Sequence, residues 1–455
     1  MSRGTQKEPL HVAIIGGGVT GVNLALGLQA RGVSYTIYER GPGFREIGAG
    51  IAFSPNAERA MNLLNPDVLA GFKRVANPNG DDYFRWVDGY ETNELIFKLY
   101  IGKDGFQGGL RSAFLDEWSK QIPPSAVQFN KHLDTFTELT GPDSFSDKVL
   151  LRFTDGTTAT ADAVVGCDGI RSRVRQLLLA RPLSSSFSLA TFPSSELPHA
   201  AHPTYTQKFC FRTLAPMSAA LAALGRVRAS SRHMYNGPGA HLLTYPVGDS
   251  TLLNILAVLS DPNPTWPHPH HTAPGNKAEV VEAFAGWSDA ARAIVDLLPD
   301  ADGGKMDKWG IFDMAADPAP RYHGGKVCLA GDAAHATGPH LGSGAGLGVE
   351  DALVLAVLFA EVDKKWREGE EGVSSRKGEM VEKAFEVYNE VRYDRTQEVV
   401  QSTRKTCDLF QWRDSEVGRD SERFGREITA RFYRVWEYDV NRMVEEALAK
   451  FSDKL

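Results

Sequence analysis

Three short apolar runs in the sequence each stop at a glycine-containing polar turn, at residues 12–15, 163–166 and 326–330. Short runs with such ends are typical of buried strands. Apolar residues with helical spacing follow the first run at 22–30 and the third at 349–361. The pattern predicts an α/β fold that presents polar turns at the carboxyl ends of its strands.

The rest of the chain carries two other patterns. Residues 82–100 and 205–258 alternate apolar and polar positions, contain many aromatics and show few helical patterns, which is typical of strands. From residue 376 to residue 450, apolar and charged residues recur with helical period. We therefore expect a sheet-based unit inserted into the α/β unit, and a helical C-terminal region. The Ser/Pro-rich segment 183–198 and the segment 261–275 are interpreted as long surface loops or lids.

Composition narrows the class of protein. A chain of 455 residues is long enough for two or three packed units. Its net charge of -7 and its pI of about 6.0 disfavour nucleic acid as a partner. We find no apolar leader and no apolar stretch of membrane-spanning length, and so expect a soluble, cytoplasmic protein without stable membrane insertion.

The cysteines and histidines give no sign of a metal site. His268, His270 and His271 form the nearest cluster, but they lie among prolines and are interpreted as part of a solvated loop. The cysteines lie far apart and are interpreted as reduced, buried thiols: Cys167, Cys210, Cys328 and Cys407.

The first apolar run leads into the turn Gly16-Gly17-Gly18-Val19-Thr20-Gly21, and the following strand, at 34–38, ends at Glu39. A strand, a GxGxxG turn, a helix and a terminal acid together predict a dinucleotide-binding βαβ unit. In such a unit Gly16, Gly18 and Gly21 form the phosphate turn, and Glu39 binds the ribose hydroxyls of adenosine. The turn alone does not decide between FAD and NAD.

The third run belongs to the stretch 326–353, which reads KVCLAGDAAHATGPHLGSGAGLGVEDAL. Its strand ends at Gly331-Asp332, and a glycine-rich turn precedes the helix. A backbone without Cβ atoms can contact a flat ring system, and the N–H groups of a helix start favour negative charge. A flavin that takes up electrons needs this arrangement. The alternative is an ordinary strand, turn and helix, and His335 is assigned no chemistry.

The middle run leads into Asp168-Gly169, followed by Ser172 and by three arginines at a predicted helix start: Arg171, Arg173 and Arg175. The arginines alone could form a solvated basic face. In order along the chain, however, the three turns resemble the motifs of the class A flavoprotein monooxygenases, the para-hydroxybenzoate hydroxylase-like aromatic hydroxylases. In that family the middle motif lies near the flavin pyrophosphate and the path of NAD(P)H.

The resemblance implies a Rossmann-like FAD-binding domain with an inserted β-sheet substrate domain and a helical C-terminal region. It places the FAD-binding domain at 1–80, 105–195 and 305–375, the substrate domain at 81–104 and 196–304, and the helical region at 376–455. FAD would be held non-covalently, since no attachment site is recognised.

The resemblance also assigns roles to residues near FAD. Asp332 would hold the ribityl chain, the backbone of Gly344-Ala345-Gly346 would bind the pyrimidine edge of the ring, and Arg111 would lie near the phosphates. The full set of expected FAD-binding residues is Gly16, Gly18, Gly21, Glu39, Arg40, Gly50, Arg111, Asp168, Asp332, Gly344, Ala345 and Gly346.

Three phrases, FREIGAGIAF at 44–53, FRWVDGY at 84–90 and HLLTYPV at 241–247, are similar to those of fungal monooxygenases of polyketide pathways. Those enzymes hydroxylate or dearomatise resorcylic aldehydes and related phenols. In that subgroup the residues at the positions of Arg212 and Tyr245 hold the substrate phenolate, and the one at His241 lies nearby. Judged from the residues alone, Arg212 could instead pair with an acid and Tyr245 could be a core residue.

The function implied is that of an FAD-dependent monooxygenase that uses NAD(P)H and O2 to hydroxylate a small phenolic polyketide through a flavin C4a-hydroperoxide, with or without dearomatisation. A phenolate is more nucleophilic than a phenol, and an arginine lowers the pKa of a phenol beside it. A salicylate hydroxylase-like decarboxylating enzyme is the alternative within the class, and a flavin-binding protein without turnover is the alternative outside it. We expect a monomer or a homodimer.

Overall fold

The computed structural model describes residues 7–44, 50–102, 105–139, 147–180, 197–300, 305–369 and 376–455. Its strands are β1 His11–Ile15, β2 Ser34–Tyr38, β3 Gly50–Phe53, β4 Tyr83–Asp88, β5 Leu95–Tyr100, β6 Gln107–Leu110, β7 Val127–Gln128, β8 Leu133–Glu138, β9 Val149–Phe153, β10 Thr158–Ala161, β11 Ala163–Gly166, β12 Thr204–Pro216, β13 His233–Gly237, β14 Ala240–Val247, β15 Leu252–Ser260, β16 Thr272–Asn276, β17 Lys305–Asp313, β18 His323–Gly324 and β19 Val327–Leu329. Its helices are α1 Val19–Ala30, α2 Pro55–Leu64, α3 Pro66–Val75, α4 Arg111–Ser119, α5 Arg173–Leu179, α6 Leu197–Ala200, α7 Met217–Ser230, α8 Lys277–Ala283, α9 Asp289–Asp296, α10 Asp332–His335, α11 Gly344–Glu368, α12 Lys377–Phe410, α13 Ser421–Trp436 and α14 Val440–Lys454.

The first sheet is built from the three apolar runs of the sequence. Strands β19, β11, β1, β2 and β7 lie side by side and parallel, and β18 pairs antiparallel with β19 at one edge. Helices cover the sheet, so nearly every residue of β1 and all of β11 are buried. The carboxyl ends of β1, β11 and β19 are adjacent, and the three polar turns therefore meet at one edge.

The second sheet has eight strands in the order β16-β17-β12-β15-β14-β13-β4-β5, and all of its pairs are antiparallel except β13 with β4. Alternation along its strands gives it two apolar faces. Phe211, Leu242 and Ile255 pack against helices α7, α8 and α9. Met234 and Leu243 face the opposite way, toward helices of the C-terminal region.

Helix α12 joins the two sheets. Its first half contributes Val381 and Phe385 to the core of the parallel sheet. Its last turn contributes Leu409 and Phe410 to the core beneath the second sheet. The C-terminal region is thus shared by both parts of the molecule, and its predicted helical character is confirmed.

Several predictions about the elements are confirmed by the structure. The strands expected at 34–38 and 163–166 have those bounds, and the four cysteines are buried free thiols. The helix expected from residue 349 begins earlier, at Gly344, because the close packing of Gly346 on Ala57 and of Gly348 on Thr20 overrides the low helix propensity of glycine. The segments 45–49 and 183–196 lie outside the described residues, and the domain boundaries stay a prediction.

Two expectations were wrong. The segment 261–275 is not a loop throughout, because β16 begins at Thr272 and pairs with β17; Pro274 is tolerated since β16 is an edge strand. The strand-rich segment 205–258 also contains helix α7, whose alanines favour a helix. That helix is broken at Gly225, which has a φ of 73°.

Candidate active site

A cavity of about 1140 Å³ lies between the carboxyl ends of β1, β11 and β19 and one face of the eight-stranded sheet. This exceeds the roughly 300–1,000 Å³ that suits one drug-sized ligand, so the cavity has room for a dinucleotide and a small ring. Most of the residues expected from the sequence line it: Gly16, Gly18, Glu39, Arg40, Gly50, Arg111, Asp168, Arg212, Tyr245, Asp332, Gly344 and Ala345. Gly21, His241 and Gly346 do not line it.

The turn after β1 allows close approach of a ligand to the backbone. Gly16 has a φ of 104°, and a Cβ there would lie 2.5 Å from the carbonyl oxygen of Cys167, so only glycine fits. Helix α1 begins beside it without a side-chain cap. At the end of β2, the Glu39 carboxylate accepts hydrogen bonds from the N–H groups of Gly17 and Gly41, both at 2.7 Å. These bonds fix the acid beside the turn.

Two of the expected glycines serve packing. A Cβ on Gly21 would lie 2.0 Å from the carbonyl oxygen of Gly16, and a Cβ on Gly346 would lie 3.1 Å from the Cβ of Ala57. Their missing side chains let α1 close over the first turn and let α11 approach α2. The two residues that precede Gly346 are the ones that line the cavity.

Asp168, at the end of β11, joins the cavity wall to helix α5. Its carboxylate accepts hydrogen bonds from the Ser172 hydroxyl at 2.5 Å and from the N–H groups of Arg173 and Val174 at 2.6 and 3.1 Å. Burial raises the pKa of Asp168, and these hydrogen bonds oppose the rise. The aspartate therefore orients the helix start that borders the cavity.

The three arginines of this motif have different surroundings, which their spacing did not reveal. Arg175 is buried, and its Nη1 donates to the carbonyl oxygens of Ala333 and Ala334 at 3.1 and 2.9 Å. It thereby ties α5 to α10. Arg171 and Arg173 are exposed at the mouth of the cavity. The reading of all three as one solvated basic face is therefore wrong.

The histidine-containing loop lies against the same mouth. Arg171 donates from Nη2 to the carbonyl oxygen of Pro269 at 3.1 Å. His270 and His271 line the cavity, and the His271 ring stacks on Phe312 with 4.0 Å between ring centroids. The loop expected to be solvated is exposed over most of its length, yet it forms part of the cavity wall.

The turn after β19 presents Asp332 to the cavity as the first residue of α10. Helix α11 begins at Gly344 on the same side, and its N-terminus has no side-chain cap. The uncapped N-termini of α1 and α11 thus border one cavity. Such ends favour a diphosphate near α1 and negative charge on a flavin ring near α11. The residues present fit FAD.

Beneath this turn lies a buried set of side chains that we term the turn-support network: His335, Glu350, Asp351, Arg392 and Arg395. Asp351 accepts a hydrogen bond from the Gly331 N–H at 2.9 Å and lies 2.6 Å from Nε2 of His335. Arg392 contacts Asp351 at 2.8 Å and Glu350 at 2.6 Å.

Helix α12 therefore fixes the turn through ionic contacts. Burial would raise the pKa of Asp351, but His335 and Arg392 outweigh it and hold that pKa below its usual value. The pKa of Glu350 is also lowered on balance, since Arg392 and Arg395 outweigh its burial. Both carboxylates are therefore ionised at neutral pH.

The opposite wall belongs to the eight-stranded sheet and carries the sheet-wall cluster: Arg212, Arg232, Tyr245 and Asn254. Asn254 accepts a hydrogen bond from the Gly50 N–H at 2.9 Å, and Arg212 donates from Nη2 to the Gly50 carbonyl at 3.2 Å. A Cβ on Gly50 would lie 2.8 Å from the Tyr245 hydroxyl oxygen. Strands β12, β14 and β15 thus bring an arginine, a tyrosine and an amide together beside β3.

Arg232 is the member of this cluster that we did not predict. Arg232 and Met234 line the cavity, whereas Tyr235 packs against the helices on the other face of the sheet. Met234 pairs in register with Leu243, which also lines the cavity. The alternation of side chains along β13 is therefore the signal that indicates Arg232, once that strand is aligned with β14.

His241 lies behind the cavity wall. It is buried, and its ring centroid is 5.7 Å from that of His340, which does line the cavity. Burial lowers the pKa of His241 to about 3 and lowers the pKa of His340 well below its usual value. Both imidazoles are neutral near pH 7, and His340, to which sequence reasoning gave no role, is the one that borders the cavity.

The residues that line this cavity are those expected of a flavoprotein, and the comparisons with known proteins agree. A family model described as FAD binding domain matches residues 285–374. The FAD-dependent monooxygenase orf3 of Aspergillus niger is 44% identical over 458 residues, with 98% of each chain covered. The FAD-dependent monooxygenase pigN of Monascus ruber is 45% identical, with 99% of each covered. Among solved structures, a salicylate hydroxylase in complex with its substrate matches with a TM-score of 0.78 at 28% identity, covering 96% of this chain and 98% of that one.

The chain belongs to the salicylate hydroxylase-like family of FAD-dependent monooxygenases. It is an oxidoreductase that uses FAD, and the predicted α/β fold with its FAD-binding part and helical C-terminal region is confirmed. Within the described ranges, no helix has both the length and the apolar composition needed to cross a membrane.

Proposed function

We propose that this monooxygenase hydroxylates a phenol of the resorcylic aldehyde type, with or without dearomatisation, using NAD(P)H and O2. The observation that carries the proposal is the position of Arg212 in the sheet-wall cluster. Its side chain faces the cavity, forms no ion pair with an acid in the described part of the chain, and contacts the Gly50 carbonyl beside Tyr245. A free guanidinium edge next to a phenol hydroxyl suits an oxygen anion with a neighbouring carbonyl.

Bound FAD, once reduced by NAD(P)H, would activate O2 and so supply an electrophilic oxygen, and the protein's own residues prepare the ring that receives it. The positive charge of Arg212 lowers the pKa of a bound phenol, which increases the fraction present as nucleophilic phenolate. Its fork of N–H donors can hold the phenolate oxygen together with an ortho carbonyl oxygen. The Tyr245 hydroxyl, at the edge of the same space, donates to the phenolate oxygen.

Apolar side chains complete the proposed substrate space. Leu243 and Leu256 project from the sheet, and Phe84, Phe106 and Phe432 lie beside them on the cavity wall. These groups exclude water from the phenolate, and they strengthen its attraction to Arg212 by keeping the local dielectric constant low. An aromatic ring with alkyl substituents fits such a lining better than a strongly polar substrate does.

NAD(P)H is the electron donor in this proposal. The chain has a single GxGxxG turn, which the first βαβ unit uses, so the nucleotide would reach the flavin through the mouth of the cavity. Arg171 and Arg173 lie at that mouth. Their guanidinium groups favour phosphate oxygens.

A decarboxylating hydroxylation is the second candidate. It is favoured by the full-length structural match to a salicylate hydroxylase in complex with its substrate. A ring carboxylate can also bind Arg212 through two hydrogen bonds. The two candidates differ in the ring carbon that receives the oxygen, and so in whether carbon dioxide is released.

The test is NAD(P)H oxidation by the FAD-loaded protein with O2, in the presence of an alkylated dihydroxybenzaldehyde or of salicylate, with mass spectra of the products. We expect the aldehyde to accelerate NAD(P)H oxidation and to gain one oxygen atom. Catechol and carbon dioxide from salicylate, with no reaction of the aldehyde, would establish the second candidate instead. If no phenol accelerates NAD(P)H oxidation, both are wrong, and a flavin-binding protein without turnover is the remaining alternative.

A further inference from the structure

Arg232 is a buried cation that the protein compensates only in part. Its side chain is 4% exposed, and its guanidinium carbon lies 4.3 Å from the ring centroid of Tyr245 and 4.4 Å from that of Phe106. Nη2 reaches the carbonyl oxygen of Phe106 at 3.5 Å, and Nε has no hydrogen-bond partner among the described residues. A guanidinium has five N–H donors, and the contacts among the described residues use only part of that capacity.

No acid in the described part of the chain balances the charge of Arg232. Burial lowers its pKa to about 10, which leaves the group protonated at neutral pH, and the ionisable group beside it is Tyr245. The two ring faces offset part of the cost of burying the cation. The remaining cost falls when negative charge develops on Tyr245 or next to it.

Among the residues that the structure describes, the charged groups that face Tyr245 are both cations. Arg232 lies over its ring, and Arg212 approaches from β12. Burial raises the pKa of Tyr245, and Arg232 and then Arg212 oppose the rise. The other strands packed against the ring present residues that do not titrate: Gly50, Gly108 and Asn254.

We propose that Arg232 is a positioning residue for the phenol substrate: it holds the ring of Tyr245 and stabilises the negative charge that the Tyr245 hydroxyl shares with a bound phenolate. This inference rests on the proposed function and adds a second cation to the substrate site. On binding, the phenol releases its proton to solvent. The Tyr245 proton then lies in a hydrogen bond between two oxygens whose joint charge of −1 is placed between Arg212 and Arg232. Arg232 itself neither gains nor loses a proton.

The consequence for specificity is that the substrate binds as an anion. A ring that lacks an ionisable hydroxyl leaves two cations uncompensated in the same wall, and its binding is disfavoured. A phenol made more acidic by a carbonyl substituent needs less help to ionise and is favoured. The site therefore favours acidic phenols with an apolar remainder, a class that includes the resorcylic aldehyde type.

The experiment measures the ionisation of a bound phenol in the oxidised, FAD-loaded protein, without NAD(P)H, so that no turnover occurs. The probe is 2,4-dihydroxybenzaldehyde, and its phenolate absorbance is followed as a function of pH in the wild type and in Arg232→Met and Arg232→Lys. In Arg232→Met the midpoint should rise by about one pH unit, which is tenfold less phenolate at a given pH below it. Arg232→Lys keeps the charge and should recover most of this shift, whereas a merely structural role would move neither midpoint.

Lys308→Met is the matched control. Lys308 also lies over aromatic rings of the same sheet, those of Phe209 and Phe211, but it does not line the cavity. Its removal should leave the midpoint of the bound phenol unchanged. The FAD dissociation constant should stay at the wild-type value in all three variants.

The outcomes separate this inference from the proposed function. A wild-type midpoint in Arg232→Met, in an enzyme that still hydroxylates phenols, overturns the inference alone. A wild type that neither ionises nor hydroxylates any phenol overturns the proposed function and the inference with it. If Arg232→Met does not retain FAD, Arg232→Gln replaces it, since glutamine keeps a donor for the Phe106 carbonyl without the charge. An unshifted midpoint in Arg232→Gln counts equally against the inference.

Discussion

The turn-support network and the sheet-wall cluster both place charged side chains away from solvent, and they differ in how the charge is balanced. In the network, Arg392 and Arg395 lie within ion-pair distance of Glu350, and Arg392 also contacts Asp351. In the cluster, two guanidinium groups face a tyrosine and an amide, with no acid paired to either in the described part of the chain.

The difference separates two roles that the same residue type can have. Balanced buried charges hold elements in register, and removal of one partner leaves the other charge buried and unpaired. Unbalanced cations on a cavity wall are completed by a ligand, and they therefore mark a binding site. Loss of an arginine should destabilise the fold in the first case and impair the chemistry in the second.

The largest effect is expected from breaking the network. Arg392→Met removes the buried arginine that Asp351 and Glu350 share, and should lower the free energy of unfolding by about 3–5 kcal/mol and reduce FAD retention. Urea unfolding followed by circular dichroism measures the change. Arg426→Met is the control, because Arg426 forms an exposed ion pair with Glu422 and its loss should cost at most about 0.5 kcal/mol. Equal effects of the two variants would show that the buried network does not stabilise the fold more than an exposed ion pair does.

Arg212→Met removes one of the two unbalanced cations of the sheet-wall cluster. The variant should fold and bind FAD, but it should lower the yield of hydroxylated product per NAD(P)H roughly 100-fold, because both orientation and ionisation of the phenol are lost. Product and hydrogen peroxide are quantified in the same reaction. Tyr245→Phe, which loses one hydrogen bond, should cost about tenfold. Wild-type coupling in Arg212→Met would leave this arginine only its contact with the Gly50 carbonyl.

Asp332→Ala acts at the turn that the network supports, without touching the network. The side chain is exposed in the cavity, so its removal should leave the apoprotein stable. Loss of its hydrogen bonds to the ribityl chain should weaken FAD binding by about 1–3 kcal/mol. Titration of the apoprotein with FAD, followed by flavin fluorescence, gives the dissociation constant. An unchanged constant would contradict the assignment of Asp332 to the cofactor.

As the pH falls, we expect buried His241, on the eight-stranded sheet, to reduce the stability of the fold before the carboxylates of the turn-support network do. Above pH 6.5, His241 is neutral in both the folded and the unfolded chain. As the pH falls below 6.5, the unfolded chain takes up a proton that the folded protein does not take up until its pKa of about 3. Stability is therefore lost across this window, by about 1.4 kcal/mol at pH 5.5 for this one residue.

His241→Phe should remove that part of the acid sensitivity. The carboxylates of the network have lowered pKa values, so they stay ionised through the same window. Urea unfolding of both proteins at neutral pH and near pH 5.5 measures the difference. The prediction fails if the variant and the wild type lose stability equally between the two conditions.

Sequence reasoning reached the parallel sheet and the three turns because each depends on residues that are adjacent in the chain. The run before Gly16 and the strand at 163–166 carry strong local patterns. The edge strand at Thr272–Asn276 does not, since its pairing with β17 is decided by tertiary contact and overrides a proline. Helix α7, which follows β12, was missed for a related reason. The alternating aromatic segments on both sides of it masked its alanine-rich helical pattern.

The residues of the cavity also differ in whether the sequence could predict them. Glu39 and Asp332 belong to local motifs, so the sequence could indicate them, and both line the cavity. Arg232 was not predicted, because its role depends on the alignment of β13 with β14 and on the ring of Tyr245 lying over it. Spacing also did not separate Arg175, which is buried among backbone carbonyls, from the exposed arginines beside it.

The strand order of the parallel sheet also determines when its strands can pair during synthesis. Strand β1 is translated first and pairs with β2 and β11. Strand β11 also pairs with β19, which ends at Leu329. The turn that follows β19 is then held by Arg392, which is made later still. The contacts around the first GxGxxG turn are therefore completed only after most of the chain has been synthesised. The slow pairings between distant segments form last. We therefore expect FAD to bind only after most of the chain has been made, because the residues that line its cavity come from distant segments, from Gly16 to Ala345.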